Sequence, residues 1–383
     1  MYPDFSYLFH DLLGTEPDNW TAIIKTFGFF LFCAFVVSGY ILKLELQRKE
    51  KLGLLKPILV TPSKNDSRWR EIIINTLIAF FVGYKIPFIR QNFDSFKEDP
   101  SAVLFSSGGN FLLGIVVGLV IGALLYWQSL REQRPTEPFH VRPYQKLGDI
   151  LTVAAISGVF GAKLFSVFEN LPAFFNDPIG VFFSGSGLNV LGGFIVAAVM
   201  VMLYVRKLGL PIAHIADAAS PAIITGYAVG RMGCHFSGDG DWGKVNALAK
   251  PDWFFLPDWV WSYSYPNNVS KQGLKMPDCD YVYCWELSPG VWPTPIYEIT
   301  MLAIVFGILW YLRTRINIPG FLFFVYFLLY GILRFIIEFA RVNEKYELLG
   351  MNYSQAQYIS ILFWFIGIGG MLYLWKRSKS STV

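Results

Sequence analysis

Nine apolar stretches recur along this chain, at about 21–43, 71–90, 109–128, 148–168, 187–205, 211–230, 294–312, 318–340 and 355–375. Each is roughly twenty residues long, and twenty residues of helix rise about 30 Å, the thickness of a bilayer's hydrocarbon core. Backbone groups in hydrocarbon must bond within their own segment, so uninterrupted runs of this length predict helices. The expectation is an all-α, polytopic integral membrane protein of about nine transmembrane helices, forming a single transmembrane domain over 1–383. Composition closes off the soluble alternative. Only 16% of residues are charged and 54% are hydrophobic, whereas water-facing domains carry about a quarter charged residues. The formal net charge of +4 reflects loop topology rather than phosphate binding, so membrane lipids and no nucleic acid are expected as partners.

Orientation follows from the connections. Eight Lys or Arg lie between Lys43 and Arg70, and Arg131, Arg134, Arg142 and Lys146 follow the third segment. Arg206 and Lys207 follow the fifth, Arg313 and Arg315 the seventh, and Lys376, Arg377 and Lys379 the last. These are every second connection, and they hold nineteen of the 32 basic residues. The positive-inside rule then puts the C-terminus in the cytoplasm and the N-terminus outside, with an odd number of spans. The first twenty residues are acidic and lack the basic start of a cleavable signal, so the first segment is expected to remain in the membrane. Residues 231–292 become an outer, periplasmic loop whose WFFLPDWVWSYSYP run suits the interfacial belt. Cys279 and Cys284 lie in that loop. A disulfide is expected there, with two reduced thiols as the alternative, and two cysteines alone make no tetrahedral zinc site. Cys33, in an apolar segment, reads as packing.

The chain repeats itself. Residues 71–114 align without a gap on 149–192, pairing Gly83 with Gly161, Lys85 with Lys163, Asn92 with Asn170 and Asp99-Pro100 with Asp177-Pro178. Phe105-Ser106 pairs with Phe183-Ser184, Gly109 with Gly187, Leu113-Gly114 with Leu191-Gly192 and Leu125-Tyr126 with Leu203-Tyr204. Hydrophobicity alone does not force shared Asn, Lys and Asp-Pro positions. We read 71–128 as an inserted helical hairpin that duplicates 149–206 in the same orientation.

Ionisable residues inside spans are costly and point to a polar cavity or a partner. In YGILRFIIEFAR, Tyr330, Arg334, Glu338 and Arg341 share an arc of about 80° on a helix. Arg334 and Glu338 are spaced to pair, and two arginines against one glutamate leave surplus positive charge suited to a lipid phosphate. A plain helix-locking ion pair is the simpler reading. The stretch GRMGCHFSGDGDWG, residues 230–243, places Arg231 and His235 four apart, then Asp239 and Asp241 in a glycine-rich turn. A capped helix end would account for it as well. Asp217 and Lys163 are two further charges within apolar segments, and Lys163 could reach an interface instead.

Together and in this order, these stretches resemble the prolipoprotein diacylglyceryl transferase family. Gly230–Gly243 is similar to the family's Gly-Arg-Ile-Gly-Asn stretch ending in Gly-Glu-Leu-Trp-Gly. Tyr330–Arg341 matches its Tyr-Gly-x-x-Arg-Phe-x-x-Glu-Phe-x-Arg pattern. WPTPIYE at 292–298 resembles its His-Pro-Ser-Gln-Leu-Tyr-Glu, Ala216-Asp217 its Ala-Asp element, and SGVFGAKL its Gly-x-x-x-Gly-Ala-Arg element, with Lys163 in the Arg position. The resemblance covers about 21–43 and 148–376. It departs in four places: Leu191-Gly192-Gly193 replaces His-Gly-Gly, Cys234 replaces the signature Asn, Gly-Glu-Leu-Trp-Gly is stretched by one residue to GDGDWG, and Trp292 replaces the His before Pro293. The family typically has seven spans, and the added hairpin accounts for two more.

The resemblance implies a transferase of the bacterial inner (cytoplasmic) membrane, with its site on the periplasmic side. It would move the diacylglyceryl group of phosphatidylglycerol to the lipobox cysteine of prolipoprotein signal peptides, the first step of lipoprotein maturation, without metal or other cofactor. Arg231 and Arg334 would stabilise the departing phosphate, and Glu338 would orient Arg334. His235 or Asp239 would replace the absent histidine as base, His235 ranking slightly ahead. Tyr330, Arg341, Asp217, Gly192, Gly193 and Lys163 would contact substrate. Two other readings stay open on sequence: a catalytically silent lipid- or lipoprotein-binding paralogue, which Leu191 would suit, and a transporter, whose repeats normally cover the whole core.

Overall fold

The computed structural model describes residues 1–60, 66–98, 100–131, 138–178, 181, 189–348 and 350–380. They form two compact units, one of Met1–Leu55 with Leu210–Val383 and one of Lys56–Gly209. Among the described residues six helical stretches are long and apolar enough to cross a bilayer: Thr26–Lys51, Glu71–Gln91, Phe111–Arg131, Pro143–Glu169, Thr294–Leu312 and Gln355–Ser380. The protein is thus a mostly helical membrane protein. Beyond its helices, three two-stranded pairings of two to four residues a strand occur among the described residues.

In the first unit, α1 (Phe5–Leu13) and α2 (Thr26–Lys51) precede the second unit in sequence. Long helices after it are Ile212–Ser237, Thr294–Leu312, Phe321–Ile337 and Gln355–Ser380; with the four long helices of the second unit counted first, these are α7, α8, α9 and α10. Helix α7 is central, packing on α2, α8 and α9, and α9 packs in turn on α10. Lipid offers no hydrophobic drive to bring helices together, so close backbone approach must do it. Glycines supply that approach: a Cβ on Gly233 would meet Phe30 of α2 at 3.0 Å, and one on Gly331 would meet Ser360 O of α10 at 2.9 Å. The apolar core between α7, α8 and α9 is Ile224, Leu302, Val305, Leu309, Leu322 and Leu333.

Two features of this unit differ from the sequence expectation. Helix α7 continues to Ser237 rather than ending at 230, and Gly238 then closes it at φ 65°, donating to Cys234 O. Hydropathy falls at Arg231, but the backbone ladder does not depend on side-chain polarity, so the connection begins at Gly238 and Arg231 is helical. Asp217 is the second. It accepts hydrogen bonds from Gly320 N at 2.8 Å and Phe323 N at 3.1 Å, with Lys49 Nζ at 3.8 Å. It is therefore the side-chain cap of α9, whose N-cap Gly320 has none of its own. At the same end Glu45 is fully buried between Arg48 at 2.8 Å and Arg313. Between α7 and α8 the polar connection is tied by a Cys279–Cys284 disulfide and a small core of Trp242, Tyr265 and Val291.

The second unit holds two helical hairpins, α3 (Asp66–Gln91) with α4 (Phe111–Arg131) and α5 (Leu147–Glu169) with α6 (Val190–Lys207). They make corresponding contacts. Lys85 Nζ donates to Val103 O at 3.1 Å and Lys163 Nζ to Val181 O at 3.4 Å. Asn110 N donates to Tyr84 O and Asn189 N to Ala162 O, and the Asn110 and Asn189 side chains cap the returning helices at Leu113 N and Gly192 N. A Cβ on Gly83 would strike Val117, and one on Gly161 would strike Val196. The outgoing helices correspond at the expected offset, Tyr84 with Ala162, but the returning helices are one residue further on, Asn110 with Asn189. The gapless alignment therefore breaks between Val181 and Asn189. The paired positions Asp99, Phe183-Ser184 and Gly187 lie outside the described residues, as does Arg134.

Candidate active site

Four pieces of the first unit converge on one ionic cluster. The last turns of α7 deliver Tyr227 and Arg231, and the turn after Gly238 delivers Asp241. The start of α8 delivers Glu298, and the end of α9 with the residues after it delivers Arg334, Glu338 and Arg341. The backbone stitches them: Gly243 N donates to Trp292 O at 2.8 Å, Lys244 N to Ala340 O at 2.8 Å, and Thr294 Oγ1 to Asp241 O at 2.9 Å. Only glycine fits at 243, because a Cβ there would lie 2.6 Å from Ala340 O.

Glu298 is the hub and is fully buried. Its Oε1 accepts from Arg334 Nη1 at 2.9 Å, while its Oε2 lies 2.6 Å from Arg231 Nε and 3.7 Å from Arg341 Nη1. Asp241 forms a second bridge, to Arg231 and, at 2.5 Å, to Arg341. Glu338 lies 3.1 Å from Arg334 and accepts from Asn343 Nδ2. The phenol oxygen of Tyr227 accepts from Arg231 at 2.8 and 3.1 Å, and its ring meets that of Tyr330 edge-on at 5.7 Å. Three guanidiniums thus face three carboxylates. The surplus cation expected from α9 alone is not there, because Glu298 and Asp241 supply the missing counter-charges from other segments. Burial would push the Asp241 carboxyl up, but Arg231 and Arg341 outweigh it and hold the group at about 2. Arg341 is the member with donors to spare: its Nε and Nη1 are buried and make no hydrogen bond.

Glu298 was missed from sequence, although WPTPIYE ends on it. A single glutamate beginning an apolar helix has no partner within a helical turn, so spacing gave no reason to select it. Of the residues selected, Arg231, Arg334, Glu338, Arg341 and Tyr330 come together here. His235 lies apart in an aromatic nest: its Nδ1 is 3.2 Å from Tyr265 Oη, with the rings of Phe236, Tyr263 and Trp259 at 5.4, 5.9 and 6.3 Å. Asp239 stands beside the cluster, one of its oxygens lying with Cys234 Sγ and an Asp241 oxygen within 4.8 Å of one another. Asp217 does not join them. It sits fourteen residues before Arg231 on the same helix, about 21 Å along the axis. Lys163, Gly192 and Gly193 belong to the second unit, where Lys163 donates to Val181 O and both glycines allow close approach of α5 and α6.

Comparison with known proteins places this geometry in context. The family model for prolipoprotein diacylglyceryl transferase matches residues 108–373, a stretch that runs from α4 into α10. Among curated proteins, the phosphatidylglycerol–prolipoprotein diacylglyceryl transferase of Dehalococcoides mccartyi is 26% identical over 290 residues, covering 75% of this chain and 98% of the relative. Its namesake from Leptospira interrogans is 27% identical over 325 residues, covering 71% and 92%, and that of Shouchella clausii 28% identical over 269, covering 70% and 85%.

Proposed function

Since the chain belongs to the prolipoprotein diacylglyceryl transferase family, we propose that its arginine cluster carries out diacylglyceryl transfer from phosphatidylglycerol to a prolipoprotein, at the lipobox cysteine. The thiol sulfur forms a bond to the glycerol carbon that bears the phosphodiester. The carbon–oxygen bond to phosphate breaks, and glycerol phosphate leaves with the electron pair. The thiol needs modest activation, since its ordinary pKa is near 8.5. The larger demand is the charge that builds on the departing phosphate, which fixed donors in a water-poor site answer best.

The observation that carries this reading is the state of Arg341. Two of its buried nitrogens, Nε and Nη1, make no hydrogen bond while Nη2 is held by Asp241, so Arg341 can donate to a phosphate oxygen without giving up Asp241. Arg334 and Arg231, aligned by Glu298, then face the oxygen on which charge develops. Glu338 orients Arg334, and Tyr330 packs its ring against that of Tyr227. An electrically balanced cluster also explains how three buried arginines coexist before lipid arrives.

The alternation of basic connections supports nine spans with the C-terminus in the cytoplasm. It also supports a site at the periplasmic face of the inner membrane, and the disulfide in the α7–α8 connection is in keeping with that side. Purified protein, given phosphatidylglycerol and a lipobox peptide, tests the reading by mass spectrometry. A diacylglyceryl thioether is expected with wild type and not with Arg334→Ala or Arg231→Ala. Folded protein that binds the lipid and forms no thioether would instead favour the silent lipid-binding reading.

A further inference from the structure

With Leu191 where the family has its histidine, the acceptor thiol needs another group to take its proton. Two titratable groups stand at the outer end of α7, and the fold separates them. The polar contact of His235 is with Tyr265 Oη, its ring is enclosed by aromatic neighbours, and it is 5% exposed. Asp239 is half-buried and lies on the cluster side of the turn. Its carboxylate accepts from Asp241 N at 3.1 Å, which fixes its direction relative to the residue that Arg231 and Arg341 grip. The turn holding it is bracketed by Gly238 at φ 65° and Gly240 at φ 100°, a conformation that glycine adopts readily. Through Cys234, whose sulfur is 3.7 Å from Arg231 Nη1, the carboxylate reaches the edge of the site where phosphate would dock.

We propose that Asp239 is the general base of this chain, taking the proton of the acceptor thiol as sulfur attacks; the assignment rests on the transferase reading above. The thiol proton passes to an Asp239 oxygen, sulfur bonds to the glycerol carbon, and the carbon–oxygen electron pair leaves with glycerol phosphate. The site's charges suit the role. Burial, then the neighbouring Asp241 carboxylate, push the Asp239 carboxyl above its ordinary range, against the hydrogen bonds from Cys234 and Asp241 N and the pull of Arg231. The titratable and charged groups facing it are Asp241, Arg231, Cys234 and Tyr265. A base with a raised pKa is a better proton acceptor for a thiol, and it works only when ionised, so the rate must fall as pH drops through that raised value.

The test is transfer to a lipobox peptide by full-length protein in mixed micelles of detergent and phosphatidylglycerol, comparing Asp239→Asn and His235→Gln with wild type between about pH 5 and pH 9. Asp239→Asn keeps the turn's hydrogen bond and removes the base. It should lower the rate about 100-fold or more with phosphatidylglycerol affinity unchanged, and it should flatten the acid limb of the pH profile. In Asp239→Ala, added formate should restore part of the rate, which a merely structural residue would not permit. His235→Gln, which still reaches Tyr265, should stay within about tenfold of wild type. A near-normal rate and acid limb in Asp239→Asn would overturn the assignment alone. Wild-type protein that forms no thioether would remove the transferase reading and this assignment with it.

Discussion

Arg334 on α9 and Glu298 on α8, 36 residues apart, meet at 2.9 Å, and the same carboxylate lies 2.6 Å from Arg231 on α7. One buried side chain therefore sets the relative positions of three helices and of the cations they carry. Glu298→Gln keeps the shape and removes the charge. Leaving buried guanidiniums uncompensated costs about 3–5 kcal/mol, and misaimed donors cost about 100-fold in rate. Thermal unfolding in detergent and the transfer rate should both fall. A variant with wild-type stability and rate would show that the hub is dispensable.

Arg341→Lys keeps a positive charge and loses the fixed guanidinium donors. If the two unbonded nitrogens of Arg341 receive the lipid phosphate, the variant should bind phosphatidylglycerol about tenfold or more weakly. Titrating lipid into detergent-solubilised protein measures this. Unchanged affinity would put the phosphate elsewhere in the cluster.

Asp241 gives the site an acid limit. Its folded pKa of about 2 is depressed below the ordinary value of 3.8. Its contribution to stability is accordingly complete above that ordinary value and is lost as pH falls through about 2. Asp241→Asn should be less stable than wild type at neutral pH, with a difference that narrows between about pH 4 and pH 2. Melting curves at stepped pH check the sign, and a gap that widens in acid would contradict it.

Asp217, by contrast, should matter to the fold and not to the chemistry. Asp217→Ala uncaps α9 at Gly320 and Phe323, which costs about 1–3 kcal/mol. The melting temperature should drop while the Michaelis constant for phosphatidylglycerol stays put. A raised Michaelis constant with unchanged melting would return Asp217 to the binding site.

What could be read from sequence follows helical periodicity closely. Arg334, Glu338 and Arg341 were legible because they recur at helical spacing, although the helix itself stops at Ile337, and Arg231 because it interrupts an apolar segment. Glu298 and the charge balance were not, since the partners of Glu298 lie on α7 and α9 and spacing cannot report contacts between segments. The partners of Asp217 were hidden for the same reason: they are backbone amides at the start of another helix, about a hundred residues on. The extension of α7 to Ser237 was hidden by the polarity of the residues the site needs. The one-residue slip in the second hairpin was hidden by an alignment that scored well without it.

The central claim is that the cluster breaks the bond between glycerol carbon and phosphate oxygen during transfer to a thiol. Counting both products of one reaction tests it most directly, using phosphatidylglycerol labelled in its headgroup and a lipobox peptide. The account predicts one glycerol phosphate released for each diacylglyceryl thioether formed, with both lost together in Arg334→Ala. Release of free glycerol, which needs cleavage on the other side of phosphorus, or consumption of lipid without thioether would contradict it.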